Sequence, residues 1–394
     1  MRRPLICGSL LFSAYQGDHK VNHSDVSSAA AVVIGASGQD GYFLTERLLD
    51  EQWKVHAIVR RPGALAGLLA TDKGRALLKI HVVDLSAPQP LFDLMARELP
   101  QEIYNLSGQS SVSGSFKEPL LYWLVNANFV ASLLECLRCQ SPGSRLYQAS
   151  STDMFGMSRD GIEVYNENSA LNPQSPYASA KAAAHLLCHS YREVYGLRIA
   201  SGVLSNHESH RRPESFLSRK VVGHVLNLMS CSAGELSEQQ PLMMGNLKIE
   251  RDWGFAPDYV EGICRILRQI AVRASQTGEA QADIGANYRD YVLGTGKTHA
   301  VWELVDCAFT IGGFELDWEL EGENPTAWRG YFRSTGRSAV LVDPHLLRTA
   351  EPLVIRVDPS RARKELGWAH REGLEVFLRD MFTGLGPAAS ASKS

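Results

Sequence analysis

The apolar residues in the first half of the chain fall into short unbroken runs, separated by stretches with helical spacing. Ala30-Ala31-Val32-Val33-Ile34 is wholly apolar, as a strand buried on both faces should be. Residues 55–59, 81–85, 102–106 and 145–149 are mostly apolar and read as further strands. Between the first two runs, Phe43, Leu44, Leu48 and Leu49 share one face of a helix, and residues 122–139 read as another helix. Strands alternating with helices predict an α/β fold built on a doubly wound parallel sheet with right-handed crossovers. Such sheets bind ligands beyond the carboxyl ends of their strands.

From Asn206 onward the rhythm loosens, which predicts a smaller C-terminal substrate-binding lobe. The expected division is a nucleotide-binding domain over 29–206, rejoined by 251–275, and a lobe over 207–250 and 276–385. Residues 1–28 are expected to form an extension and 386–394 a tail. Tyr259, Ile263, Ile266 and Leu267 place a packing stripe on a helix over 258–270. Residues 291–296 read as a strand and turn, and 301–305 as a helix. Residues 358–368 read as a helix that Asp358 caps, Pro359 opens and Gly367 closes. The polar stretch 272–290 lacks periodicity and is expected to be a surface insertion. No apolar run approaches the ~20 residues of a membrane span.

Composition changes this picture little. The 394 residues are 44% apolar and 21% charged, as in an ordinary globular protein. A net charge of −3 gives no reason to expect nucleic acid as partner. Seven scattered cysteines read as reduced thiols, and the single Cys136-x-x-Cys139 lacks the second pair that zinc would need, so no metal is expected. The start, Met1-Arg2-Arg3 before an apolar octet, mimics a secretion signal, but the nucleotide site that follows argues for a cytoplasmic protein.

The candidate chemistry lies at the strand ends. Gly35, Gly38 and Gly41, with Ser37, Gln39 and Asp40 between them, form G-x-x-G-x-x-G between a buried strand and a helix. That context lets backbone N–H groups approach a pyrophosphate at the helix N-terminus. The second strand ends in Arg60-Arg61, where an NAD site would carry an acidic residue, so NADP is favoured over NAD. Asp84, with Leu85 after it, is placed to meet an adenine amino group. Tyr177 and Lys181 stand four apart on one helical face, so the ammonium can sit beneath the phenol and favour the phenolate. Tyr177 is then a candidate general base, with Ser151 hydrogen-bonding the same substrate hydroxyl.

With these pieces in place, the chain resembles the GDP-mannose 4,6-dehydratases among the extended short-chain dehydrogenase/reductases, which have a Rossmann-type fold. The likeness runs from about residue 31 to 368. It rests on the glycine turn, Val59-Arg60-Arg61, Ser175-Pro176-Tyr177-Ala178, Asn206-His207-Glu208-Ser209, Arg219-Lys220, Arg251-Asp252-Trp253-Gly254 and Asp358-Pro359. The resemblance implies that Tyr177, aided by Ser151 and Lys181, removes the 4-hydroxyl proton of a GDP-hexose while NADP takes the C4 hydride. Asp153 then eliminates water across C5 and C6, and the hydride returns to C6. It also implies His207 at the cofactor and Ser110, Asn206, Arg219, Lys220, Arg251, Arg348 and Glu351 at the substrate. A homodimer is expected, with a tetramer as the alternative.

Departures leave a second reading open. Ser150-Ser151-Thr152-Asp153 stands where the family has S-T-S-E, so the carboxyl arm is one methylene shorter, and such displacements can cost ~100-fold. A nucleotide-sugar 4-oxidoreductase or epimerase that forms the ketone without dehydration is the alternative. A non-catalytic sensor on the same fold would not need Ser151, Tyr177 and Lys181 together. The loop 62–67 also lacks the serine-rich arm with which the family builds its tetramer.

Overall fold

The computed structural model describes residues 29–157, 164–279, 281–348 and 352–386. Its centre is a parallel sheet of seven strands: β1 (Ala30–Ile34), β2 (Lys54–Val59), β3 (Leu78–Val82), β4 (Glu102–Asn105), β5 (Arg145–Ser151), β6 (Ile199–Leu204) and β7 (Tyr291–Leu293). The order is β3-β2-β1-β4-β5-β6-β7, with every neighbouring pair parallel. The chain starts at β1, winds outward to β3, then returns to β4 beside β1. That reversal opens a crevice at the carboxyl ends of β1 and β4.

Alternation along the strands feeds two cores. Ala31 and Val33 of β1 join the cluster under helices Gln39–Asp50 and Ala256–Leu267. Val32 and Ile34 face the opposite cluster, where helices Gln89–Glu98, Phe129–Gln140 and Pro176–Tyr195 pack. A third core fills the lobe between helices Leu217–Met229, Val301–Ile311 and Leu374–Leu385 and a four-stranded sheet. The lobe's other sheet joins Glu250–Arg251 to Val354–Val357.

Several expectations need correction. The third strand is Leu78–Val82 rather than 81–85: it pairs residue by residue with Val55–Val59, and Asp84 lies beyond its end. Tyr291–Leu293 pairs with β6 as the seventh strand of the main sheet, although the expected boundary at 276 assigned it to the lobe. The stretch expected as an insertion begins with helix Gln269–Thr277, which buries Ile270 and Arg273. The helix expected over 122–139 starts earlier, at Pro119, and a π segment, Leu124–Asn128, interrupts it. The run Pro119–Gln140 is 22 residues long and apolar enough, by length and composition alone, to cross a membrane, with half of its most apolar stretch buried in the protein. Residues 1–28, Glu351 and all of the tail but Gly386 lie outside the described residues.

Candidate active site

The glycine turn follows directly from β1. Gly35 has φ +84°, and a Cβ there would lie 2.9 Å from the backbone of Leu106 and Ser107 at the end of β4. A Cβ on Gly41 would come within 2.3 Å of the Gly35 carbonyl oxygen, so this glycine lets the helix pack on its own turn. Gly38 is the N-cap of helix Gln39–Asp50 and no side chain caps it. Ser37 and Gly38 are exposed, which leaves the helix N-terminus open to an anion.

Gln39 and Asp40 turn toward the protein. Gln39 Nε2 donates to the His207 carbonyl at 3.0 Å, and Ser209 Oγ donates to Gln39 Oε1 at 2.8 Å. His207 Nε2 meets Asp40 Oδ2 at 2.9 Å while its Nδ1 faces the Ser205 carbonyl. Burial alone would lower the imidazole's pKa, but the Asp40 charge and hydrogen bond outweigh it and raise it. The clasp thus fastens the cofactor turn to the short strand Asn206–Glu208. At the sheet's edge, Arg60 is exposed just past β2, and Val83 N bonds the Val59 carbonyl. Asp84 and Leu85 therefore follow on the same edge, with Asp84 accepting from Ser86 N at 2.9 Å.

Beyond β4, Asn126 pins the loop that carries Ser110. Its amide donates to the Gln109 carbonyl at 3.0 Å and accepts from Gln109 N at 3.1 Å. Asn126 lies within the π segment, where the extra residue in the turn redirects side chains.

Strand β5 delivers Ser150 and Ser151, and helix Pro176–Tyr195 clamps its end. Lys181 Nζ donates to the Ala149 carbonyl at 3.0 Å, and His185 Nδ1 lies 3.1 Å from Ser150 Oγ. Ser151 Oγ donates to Asp153 Oδ2 at 3.3 Å and accepts from Asp153 N at 3.2 Å within a 3₁₀ turn. Burial raises the Asp153 carboxyl, against Arg251, Ser151 and Arg348, which lower it. Burial also raises the Tyr177 phenol, reinforced by Asp153, while Ser151 and Arg212 act in the opposite sense. The Lys181 ammonium is drawn to the Ala149 carbonyl, and burial brings its own pKa down to about 8.

The structure therefore gathers Ser151, Asp153 and Tyr177, with the charges of Arg251 and Arg348 on the carboxylate. Arg251 Nη1 also donates to the Glu250 and Pro352 carbonyls. Asn206 sits opposite Trp253, two residues from Arg251. Arg219 and Lys220 stand apart from these groups, lining an open groove of the lobe with His224, Asn227 and Met243, and Lys220 Nζ donates to the Met243 carbonyl. Three side chains escaped the sequence reading. Arg212 lies three residues past the Asn-His-Glu-Ser run, which was signal enough; Asn126 and His185 carried none, because their roles depend on tertiary neighbours.

The chain's likeness to known proteins agrees with this geometry. A family model described as GDP-mannose 4,6 dehydratase matches residues 32–381. The GDP-mannose 4,6-dehydratase of Sinorhizobium fredii (strain HH103) is 34% identical over 361 residues, covering 89% of this chain and 93% of that protein. GDP-mannose 4,6 dehydratase 1 of Arabidopsis thaliana is 33% identical over 362 residues, covering 89% and 88%. Among solved structures, dTDP-glucose 4,6-dehydratase from Bacillus anthracis in complex with NAD has a TM-score of 0.68 at 16% identity, covering 90% of this chain and 96% of that one. RMD from Pseudomonas aeruginosa complexed with NADPH has a TM-score of 0.63 at 20% identity, covering 90% and 98%. From the glycine turn to the last core helix, this chain belongs to the GDP-mannose 4,6-dehydratase family.

Proposed function

We propose that the protein is an NADP-dependent nucleotide-sugar 4,6-dehydratase that converts a GDP-hexose, GDP-mannose or a close relative such as a GDP-heptose, to its 4-keto-6-deoxy form. The observation that carries this reading is the pairing of two groups in one site: Tyr177 for the 4-hydroxyl, and Asp153, which Ser151 Oγ hydrogen-bonds and whose charge acts on the Tyr177 phenol, for C5.

The residues at the crevice fit a nicotinamide dinucleotide. A Cβ at Gly35 would strike the end of β4 and one at Gly41 the turn itself, and the uncapped helix N-terminus at Gly38 suits a pyrophosphate. Arg60 suits a 2′-phosphate, and one structural neighbour is complexed with NADPH while others hold NAD. When bound, the cofactor accepts the hydride of C4 and returns it at C6. Tyr177 takes the 4-hydroxyl proton, polarised by Ser151. The ketone so formed acidifies C5, Asp153 removes that proton, and the 6-hydroxyl departs as water. Arg251 and Arg348 act against burial, in favour of the anionic, basic form of Asp153, and arginines of this kind also suit the substrate's diphosphate.

We also propose a cytoplasmic homodimer. Leu120, Trp123 and Leu124 are exposed at the start of one helix, and Leu186, Val194 and Tyr195 along the helix that packs against it, with Leu120 84% and Val194 72% accessible. Exposed apolar side chains gathered on one helix pair are a mark of association sites.

The test is mass spectrometry of the purified protein incubated with GDP-mannose and NADP. Loss of one water supports the dehydratase. The shorter arm of Asp153 favours a second reading, a 4-oxidoreductase or epimerase, which would give a ketone or epimer with the water retained.

A further inference from the structure

A sugar gripped by the lobe must meet a cofactor held by the sheet, so the rate depends on how the two parts are set against each other. The segment after the short strand Asn206–Glu208 lies between them. It runs along the first turns of helix Gln39–Asp50: His207 meets Asp40, Ser209 Oγ donates to Gln39, and the Arg211 guanidinium lies 3.0 Å over the Tyr42 ring. His210 faces both ways. Its ring packs edge-on to Phe43 of that helix, with 5.8 Å between ring centres and 84° between planes. On the other side its backbone N–H donates to Asp380 Oδ2 at 2.7 Å, and its Nδ1 lies 2.9 Å from the same oxygen. A carboxylate only accepts, so Nδ1 carries the proton.

Resting on the dehydratase reading, we propose that His210 and Asp380 are positioning residues: they latch the lobe's last helix to the cofactor helix and so hold the bound sugar in line with the cofactor. Asp380 stands on helix Leu374–Leu385, whose Phe377 and Met381 are buried in the lobe core with Val221 and Val225 of helix Leu217–Met229. That second helix carries Arg219 and Lys220 in its first turn. A shift of the latched helix therefore moves two of the side chains expected at the substrate.

Both partners are shaped for the contact. A Cβ at Gly384, one turn beyond Asp380, would lie 2.4 Å from the His210 Cβ, so the missing side chain makes the notch that the imidazole fills. The loop is also fastened from within, because Arg211 N donates to Ser209 Oγ at 3.1 Å and Arg212 N to the Ser209 carbonyl at 3.0 Å. Two donors of one residue on a single oxygen fix the ring and its backbone together. A proline at 210 would lack both of them.

The experiment compares Asp380→Ala, His210→Ala, the double variant and His210→Asn with the parent enzyme, using GDP-mannose and NADP. Asp380→Ala removes the acceptor of both bonds and should lower kcat about 100-fold, the scale of a small misplacement, with KM and NADP affinity kept. His210→Ala retains the backbone bond and should lose less. The double variant should fall no further than Asp380→Ala, since both changes act through one contact. His210→Asn, whose amide nitrogen stands in for Nδ1, should recover most of the rate. Val305→Ala, in the lobe core, should lower the denaturation midpoint and leave kcat at the parent level, which separates misalignment from lost stability. Parental kcat in Asp380→Ala, a loss confined to KM, or losses that add in the double variant overturn the latch. In the cofactor-free protein, the amides of residues 209–212 should exchange hydrogen faster in Asp380→Ala; unchanged exchange means that the contact does not hold the loop. A parent enzyme that releases no water overturns the dehydratase reading and the alignment role with it, whereas a working dehydratase indifferent to Asp380→Ala overturns the alignment role alone.

Discussion

A phenol and a carboxyl buried side by side resist ionising together, and Tyr177 and Asp153 are both held toward their protonated forms by burial. Replacing Asp153 by Asn removes the negative charge without much change in shape. Asp153→Asn should therefore lower the Tyr177 titration and leave ketone formation intact while abolishing water loss, as ultraviolet titration and product masses would show. Tyr177→Phe should abolish ketone formation with NADP still bound, and unchanged turnover would remove Tyr177 from the mechanism. At the sheet's edge, Arg60→Ala should weaken NADP about tenfold more than NAD, in line with the ~1.5–3 kcal/mol of a charge-assisted hydrogen bond. Equal losses by calorimetry would refute its 2′-phosphate role. The Asp40–His207 pair makes a pH prediction. His207 titrates above its ordinary 6.5 and Asp40 below 3.8. The pair's stabilisation is thus complete between those values. It is lost as pH rises through the raised imidazole value, or falls through the lowered carboxyl value. The gap in denaturation midpoint between the parent protein and His207→Gln should shrink as pH rises above the ordinary imidazole value.

At the scale of elements, the foot of the sheet is tied by a buried carboxylate. Glu102 opens β4 with a side chain shielded from solvent, and meets Arg145 at 3.1 Å, Arg268 at 2.8 and 2.9 Å, and the Tyr104 hydroxyl at 2.7 Å. Removing one partner of a buried ion pair costs about 3–5 kcal/mol, so Glu102→Gln should lower stability by that order. The site lies at the opposite end of β4, so cofactor affinity should persist, as paired denaturation and binding measurements would show. Elements of this kind were legible where the sequence pattern was unambiguous: β1 matches its apolar run residue for residue. Legibility failed where burial crossed an element boundary. Val83 is buried beyond the end of β3 and so prolonged the apparent strand, while Gln269–Thr277 is too polar to announce its helix. In the site, residue types and spacing exposed Ser151, Tyr177 and Lys181. The turn of Lys181 toward Ala149 depends on where a strand carbonyl falls, and no spacing rule carries that information.

For the whole molecule, the open apolar face across two adjoining helices should control assembly. Leu120→Glu combined with Leu186→Glu should convert the dimer to monomer in sedimentation velocity, and a parent protein that sediments as a monomer would refute the proposed association. The π segment at Leu124–Asn128 gives this face a further meaning. One added residue rotates everything downstream by about 100°. Leu120 and Trp123, upstream of the slip, look outward, whereas Phe129, Leu133 and Leu137, downstream, look into the core. A single helix thus changes customers midway, and the residue at the changeover, Asn126, reaches the loop beside the crevice. A one-residue deletion there would put the two ends out of phase, so the segment acts as a gear between the outward-facing turn at Leu120 and the loop beside the crevice.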